Sequence, residues 1–179
     1  DYVLTVSDLA RESYVAAGIA KENVFSIPVG YDRTKFNQNI KEPENKTVRF
    51  IFAGHAGKRK GIDLLVKACK IFDQKDVEYE IMIAGNWEGS GEHKPISSIK
   101  SLGWIPHEQL AREFAKSDCM VLPSRHDSFG MVVVEAMACG TPVIVSNQTG
   151  AKEAVTEGKS GWVISIEDEK ELAERMEWC

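Results

Sequence analysis

Apolar runs of five or six residues recur at 2–6, 23–27, 48–53, 79–84, 118–122, 142–146 and 162–166, most bounded by Gly, Pro or Ser. Runs of this length and spacing predict strands. Between them the period changes. In GIDLLVKACKIF the residues Ile62, Leu65, Val66, Cys69 and Phe72 recur on one helical face, as an amphipathic helix requires. A first helix is expected over 8–17, capped by Ser7 and ended by Gly18. Others are expected over 107–117 through Leu110 and Phe114, and over 130–139 up to Gly140, with a charged helical pattern, KELAERMEW, at the end of the chain.

Strands alternating with helices of about ten residues predict βαβ units and a mostly parallel sheet. RFIFAG and CMVLP are continuously apolar, as strands covered on both faces are. The fold class is therefore a doubly wound α/β domain. Ligands of such sheets sit beyond the carboxyl ends of the strands, here at Gly54-His55, Gly85-Asn86, Gly103-Trp104, Pro123-Ser124 and Ser146-Asn147. The polar stretch 37–47 reads as a linker and 86–95 as a mobile loop. No internal repeat, heptad or low-complexity tract occurs.

Composition narrows the partners. Of 179 residues, 43% are hydrophobic and the formal net charge is −5, which argues against nucleic acid as a primary ligand. No apolar run approaches the ~20 residues of a membrane span. Cys69, Cys119, Cys139 and Cys179 show no C-x-x-C pairing, which fits packed free thiols in a reducing, cytoplasmic setting. The chain opens in a strand-like run without Met and stops in a helical pattern, so both ends read as cuts through a longer protein.

Two stretches carry candidate chemistry. In FAGHAGKRKGID, Lys58, Arg59 and Lys60 lie between a strand end and a helix start, where cations and helix amides make an anion site. The competing reading is a solvated basic turn. The spacing is not a Walker A loop, and no G-x-G-x-x-G follows any strand. In SRHDSFGMVVVEAMACG, Asp127 and Glu135 stand eight positions apart, about two helical turns. Asp127 alone reads equally as an N-cap. Glu135 lies within an apolar helix, where a carboxylate needs a partner, and it suits two neighbouring hydroxyls such as a ribose diol or a hexose. The amides of Phe129, Gly130, Met131 and Val132, with Ser128 before them, would form a second anion cradle at the start of that helix. A hydrolytic acid pair and a metal site are the alternatives. The metal reading is poor, because His55, His93, His107 and His126 are scattered and no H-x-x-x-H or D-x-D occurs. His126 is retained as a pocket candidate, and Cys139 reads as packing rather than nucleophile.

Taken together these segments resemble the retaining glycosyltransferases of family four, which share the GT-B architecture of two Rossmann-like domains about a cleft. VSDLARESYVAAGIAKENVFSIPVGYDRTKF is similar to the segment approaching the hinge, FIFAGHAGKRKGIDLL to the F-V-G-R-L-x-x-x-K-G segment, and DSFGMVVVEAMACGTPVIVS to the E-x7-E signature. The resemblance implies a Rossmann-like doubly wound sheet forming the C-terminal half of a GT-B enzyme, with 1–40 as a hinge-proximal strand-helix-strand segment and 41–179 as the donor-binding domain. It further implies that Lys60 binds the diphosphate of a nucleotide sugar, UDP-, GDP- or ADP-linked, and that Glu135 binds the ribose hydroxyls. Asp127 would contact the donor sugar, and the Phe129 to Val132 amides would hold sugar and phosphate. Gly54, His55, Lys58 and Arg59 would surround the phosphates, Gly85 would belong to the nucleotide site, and the backbone of Gly103, Trp104 and Ile105 would border the base. No cofactor is implied. Three positions depart from the pattern: His55 replaces a phosphate-binding Arg, Asp127 replaces a Glu, and Val29 replaces the Asn of an N-G turn.

The same resemblance places the acceptor pocket on an N-terminal domain outside the chain, so the chain alone is expected to bind nucleotide without transferring sugar. Membrane association, if the enzyme has it, is expected through that domain. A GT-B relative such as a nucleotide-sugar epimerase or phosphorylase, and a non-catalytic α/β binding module, are the rival readings.

Overall fold

The computed structural model describes residues 1–40, 47–75, 77–87 and 98–179. The expected linker and loop fall largely outside them, as does His93. Two parallel sheets form. The first pairs β1 (Val3–Thr5) with β2 (Val24–Ser26), joined through α1 (Asp8–Ala16). The second has six strands: β3 (Val48–Ala53), β4 (Tyr79–Ala84), β5 (Ile99–Gly103), β6 (Cys119–Leu122), β7 (Val143–Ser146) and β8 (Gly161–Ile164), in the order β5-β4-β3-β6-β7-β8. Counted from β3, this is the 3-2-1-4-5-6 order of a doubly wound sheet, whose ligand crevice opens where the order reverses, between β3 and β6.

Helices α2 (Ile62–Phe72), α3 (His107–Ala115), α4 (Met131–Ala138) and α5 (Glu169–Met176) cover this sheet, with α2 packed on α5 and α3 on α4. Phe50, Ile51 and Phe52 of β3 are fully buried, because successive side chains point to opposite faces and both faces carry helices. Burial of each contributes about 2 kcal/mol. The five apolar residues of the α2 stripe are all buried, and Leu64 and Ala68 beside them are buried as well. Ser7 caps α1 as expected, accepting from the Ala10 amide at 3.1 Å.

Strand β5 is absent from the runs counted in the sequence, although its end at Gly103 is among the strand ends. Among the described residues it is an edge strand paired with β4 alone, and Lys100 and Ser101 face solvent, so its apolar signal is weak. A second difference concerns α4. It begins at Met131 with Gly130 as its cap, so Asp127 is neither the N-cap nor on the helix, and its placement depends on the β6–α4 loop. The two-turn argument for the Asp127–Glu135 spacing therefore does not describe the fold.

The two sheets are linked by polar contacts. The Ser7 hydroxyl donates to the Ser128 carbonyl at 2.5 Å, and Glu153 accepts from the Asp8 and Leu9 amides at 2.9 and 3.2 Å. The Glu153 contacts satisfy backbone donors that the first turn of α1 leaves unpaired.

Candidate functional site

At the carboxyl edge the strand ends are stitched together. Gly54 N donates to Ala84 O at 2.8 Å, Gly85 N to Gly103 O at 2.7 Å, and Ala56 N to Asn86 O at 3.0 Å. Beyond them lies a cavity of about 270 Å³ lined by Gly54, His55, Gly85, Trp104, Ile105, His107 and Val132, among others. Trp104 at its rim is 76% exposed.

Beside this cavity the basic turn Lys58–Lys60 leads into α2. Gly61 makes that approach possible: its φ is 75°, and a Cβ there would fall 1.9 Å from the Pro123 carbonyl at the end of β6. Only a residue without a side chain brings the turn so close to the switch point. Lys58 and Arg59 are exposed, while Arg59 Nη1 donates to the His126 carbonyl at 3.1 Å. Lys60 reaches across to form an ion pair with Asp127 Oδ2, their side chains 15% and 13% exposed. The basic turn is therefore only partly a solvated one.

From the β6 side, the loop carrying Asp127 is held by backbone bonds from Asp127 N to Gln148 O and from Gly150 N to Asp127 O. Gly130 then turns the chain into α4 with φ 90°, where a Cβ would meet Thr149 Cγ2 at 2.9 Å and Asp127 Oδ2 at 3.3 Å. The amides of Phe129, Gly130, Met131 and Val132 donate to no acceptor among the described residues. Four free N–H groups at a helix start attract anions. Ser128 differs from them, since it is exposed and its carbonyl is engaged by Ser7.

Glu135 lies one turn further along α4, only 8% exposed. Its carboxylate has no hydrogen bond or ion pair among the described residues. Burial raises its pKa, opposed by the charge of His107, a residue of the cavity wall. A carboxylate in this position retains its acceptor capacity for hydroxyls.

Several of the residues assembled here escape sequence reasoning. Arg125 binds Asp63 and Glu167, and His107 acts on Glu135. These pairings join residues far apart in sequence, so no local pattern marks them. Cys69 and Cys139 are pushed up to about 12 and about 11 by burial, so Cys139 packs as an inert thiol. Among the described residues no group of three or more His, Cys, Asp or Glu converges, and no helix is long and apolar enough to cross a membrane.

The fold is a Rossmann-like α/β domain with a candidate ligand site at its switch point, the fold found in GT-B glycosyltransferases. The chain belongs to the glycosyl transferases group 1 family, whose model matches residues 32–179. It is 28% identical to an uncharacterised 41.2 kDa protein in the cps region of Klebsiella pneumoniae, covering 99% of this chain and 51% of that protein. It is 25% identical to the amylovoran biosynthesis glycosyltransferase AmsK of Erwinia amylovora, covering 97% and 46%. The chain thus spans about half the length of these curated relatives.

Among solved structures, sucrose-phosphate synthase from Thermosynechococcus elongatus superposes with a TM-score of 0.79 at 25% identity, covering 99% of this chain and 48% of that one. Anabaena Alr3699/HepE, solved in complex with UDP and glucose, superposes with a TM-score of 0.82 at 21% identity, covering 99% and 53%.

Proposed function

We propose that this chain is the donor-binding domain of a metal-independent, retaining glycosyltransferase that uses a nucleotide-diphosphate sugar. The observation that carries this reading is Glu135: a buried carboxylate with no hydrogen-bond partner among the described residues, beside a cavity at the switch point and on the helix whose first amides find no acceptor among them. The UDP and glucose complex of Alr3699/HepE supports the same ligand class.

In this reading the base enters the cavity bordered by Gly85, Gly103, Trp104 and Ile105, and Glu135 accepts from the ribose hydroxyls. Lys60 binds the diphosphate, with Lys58, Arg59 and the exposed His55 around it. Asp127 faces the donor sugar. Breaking the anomeric bond loads negative charge onto the leaving diphosphate. Lys60 and the amides of Phe129 to Val132 are fixed before that charge develops, and one such preorganised donor contributes about 3 kcal/mol to the barrier reduction. The acceptor hydroxyl attacks from the same face of the sugar. It is supplied from a domain outside this chain, which by itself binds nucleotide and transfers no sugar. The three buried thiols accord with a cytoplasmic setting.

Calorimetric titration with UDP, GDP and ADP tests the assignment. One of the three is expected to bind, and Glu135→Ala and Lys60→Ala are each expected to weaken it. Equal binding by Glu135→Ala and the parent chain would sink the reading.

A further inference from the structure

Among the described residues near the proposed donor site, Arg125 is the most heavily engaged side chain. Its guanidinium has five N–H donors, and each has an acceptor. Nε donates to Glu167 Oε1, and Nη2 to Glu167 Oε2 at 2.9 Å and Asp63 Oδ2 at 2.9 Å. Nη1 donates to Asp63 Oδ1 at 2.6 Å and to the Lys58 carbonyl at 2.5 Å. The Arg125 amide adds a bond to the Arg59 carbonyl at 2.8 Å. Lys58, Asp63 and Glu167 belong to the segments that follow β3 and β8, and Arg125 follows β6. One planar cation thus ties together three loops at the ligand edge of the sheet.

Two further features mark the contact as specific. Glu167 has φ 61°, a conformation that a non-glycine residue adopts at a cost, and Arg125 holds its carboxylate in both positions. The fork geometry also excludes Lys as an equivalent, since an ammonium has three donors on one point charge.

We propose that Arg125 is a positioning residue that sets the spacing between the basic turn and the Asp127 loop, and so between the phosphate and sugar ends of the donor site. This rests on the donor-site reading above. With all five donors engaged, Arg125 has none left for a ligand, so it acts through its neighbours. Lys60 lies one residue beyond the carbonyl that accepts from the Arg125 amide, and Asp127 lies two residues beyond Arg125 itself.

The test compares Arg125→Met, Arg125→Lys and the milder Glu167→Gly, which suits the αL backbone while removing two of the five acceptors. UDP, GDP and ADP, and the three corresponding nucleosides, are titrated against each variant. Backbone amide exchange is followed at residue 125, at 58–61 and in β3. Arg125→Met is expected to weaken the bound diphosphate by about tenfold to a hundredfold, the scale on which misplacement of site groups acts. Nucleoside affinity should stay within about twofold. Arg125→Lys should recover part of the loss and Glu167→Gly should show a smaller one. In Arg125→Met, exchange at 125 and 58–61 should accelerate while β3 stays protected.

Parallel losses for nucleoside and diphosphate, together with lost β3 protection, would show a merely structural role and overturn the proposal. So would an Arg125→Met chain with unchanged diphosphate affinity and unchanged exchange. If the parent chain binds none of the nucleotides, the donor-site reading falls by itself, and unchanged exchange at 125 and 58–61 would still sink the clamp.

Discussion

Lys60 and Asp127 form an ion pair across the switch point, the lysine from the turn after β3 and the aspartate from the loop after β6. In the proposed donor site the two have opposite effects on a diphosphate, since Asp127 neutralises the cation that would bind it. Lys60→Ala should weaken nucleoside diphosphate binding by about tenfold or more. Asp127→Asn should tighten it severalfold, while weakening the sugar-bearing donor relative to the diphosphate. Calorimetry on both variants decides the matter. An Asp127→Asn chain that loses diphosphate affinity as Lys60→Ala does would show that the pair acts as one unit that orients the lysine.

Glu135 couples function to stability in the opposite sense from most carboxylates. Burial raises its folded pKa above the ordinary 4.5, so the folded chain keeps this proton at pH values where the unfolded chain has lost it. Unfolding then releases a proton, and the Glu135 contribution becomes less favourable as pH rises from 4.5 toward the raised value. Glu135→Gln should therefore be more stable than the parent at neutral pH, by about 1 kcal/mol, with the difference shrinking toward pH 4. Nucleotide binding should fall in the same variant. Urea melts at pH 4 and pH 7 test this, and a neutral-pH loss of stability in Glu135→Gln would contradict it.

How far the sequence discloses this arrangement depends on whether the signal is local. β3 and β4 have their expected bounds because their apolar runs are buried on both faces, whereas β5 carries Lys100 and Ser101 into solvent and gives little periodicity. The acids at 127 and 135 stand out as polar residues around an apolar run. Their geometry does not follow from helical spacing, because Gly130 turns the chain in an αL conformation before α4 begins. Arg125 is invisible for a different reason. Its partners at 63 and 167 are 62 and 42 positions away, and no single-residue property marks such a pairing.

Two glycines with positive φ should respond differently to a methyl group. At Gly61 a Cβ would sit 1.9 Å from the Pro123 carbonyl, whereas at Gly103, with φ 65°, nothing lies within 4 Å. Gly103→Ala should cost about 1 kcal/mol, the backbone term alone. Gly61→Ala adds a backbone clash and should cost about 3 kcal/mol or more, with the basic turn displaced. Denaturant unfolding of the two variants separates them. Equal losses would mean that the turn after β3 relaxes away from β6 without penalty.

At the opposite end of the sheet, charge is buried for a structural purpose. Arg49, 8% exposed, donates through Nη2 to Glu113 Oε2 at 2.5 Å, and Glu113 is 7% exposed. Arg49 Nε lies 3.4 Å from Glu80, and Lys116 lies 3.4 Å from Glu113. The backbone amide of Arg49 also donates to Asp118 at 2.7 Å, a bond that a side-chain substitution leaves in place. Arg49→Met should leave Glu113 buried with Lys116 as its remaining cation and cost about 3 kcal/mol. The double variant Arg49→Met with Glu113→Leu removes both charges and should recover most of that loss, because a buried ion pair contributes little beyond an apolar pair of similar volume. If the double variant is as unstable as the sum of the single ones, a double-mutant cycle in urea gives zero coupling between the two side chains, and the expected recovery is refuted.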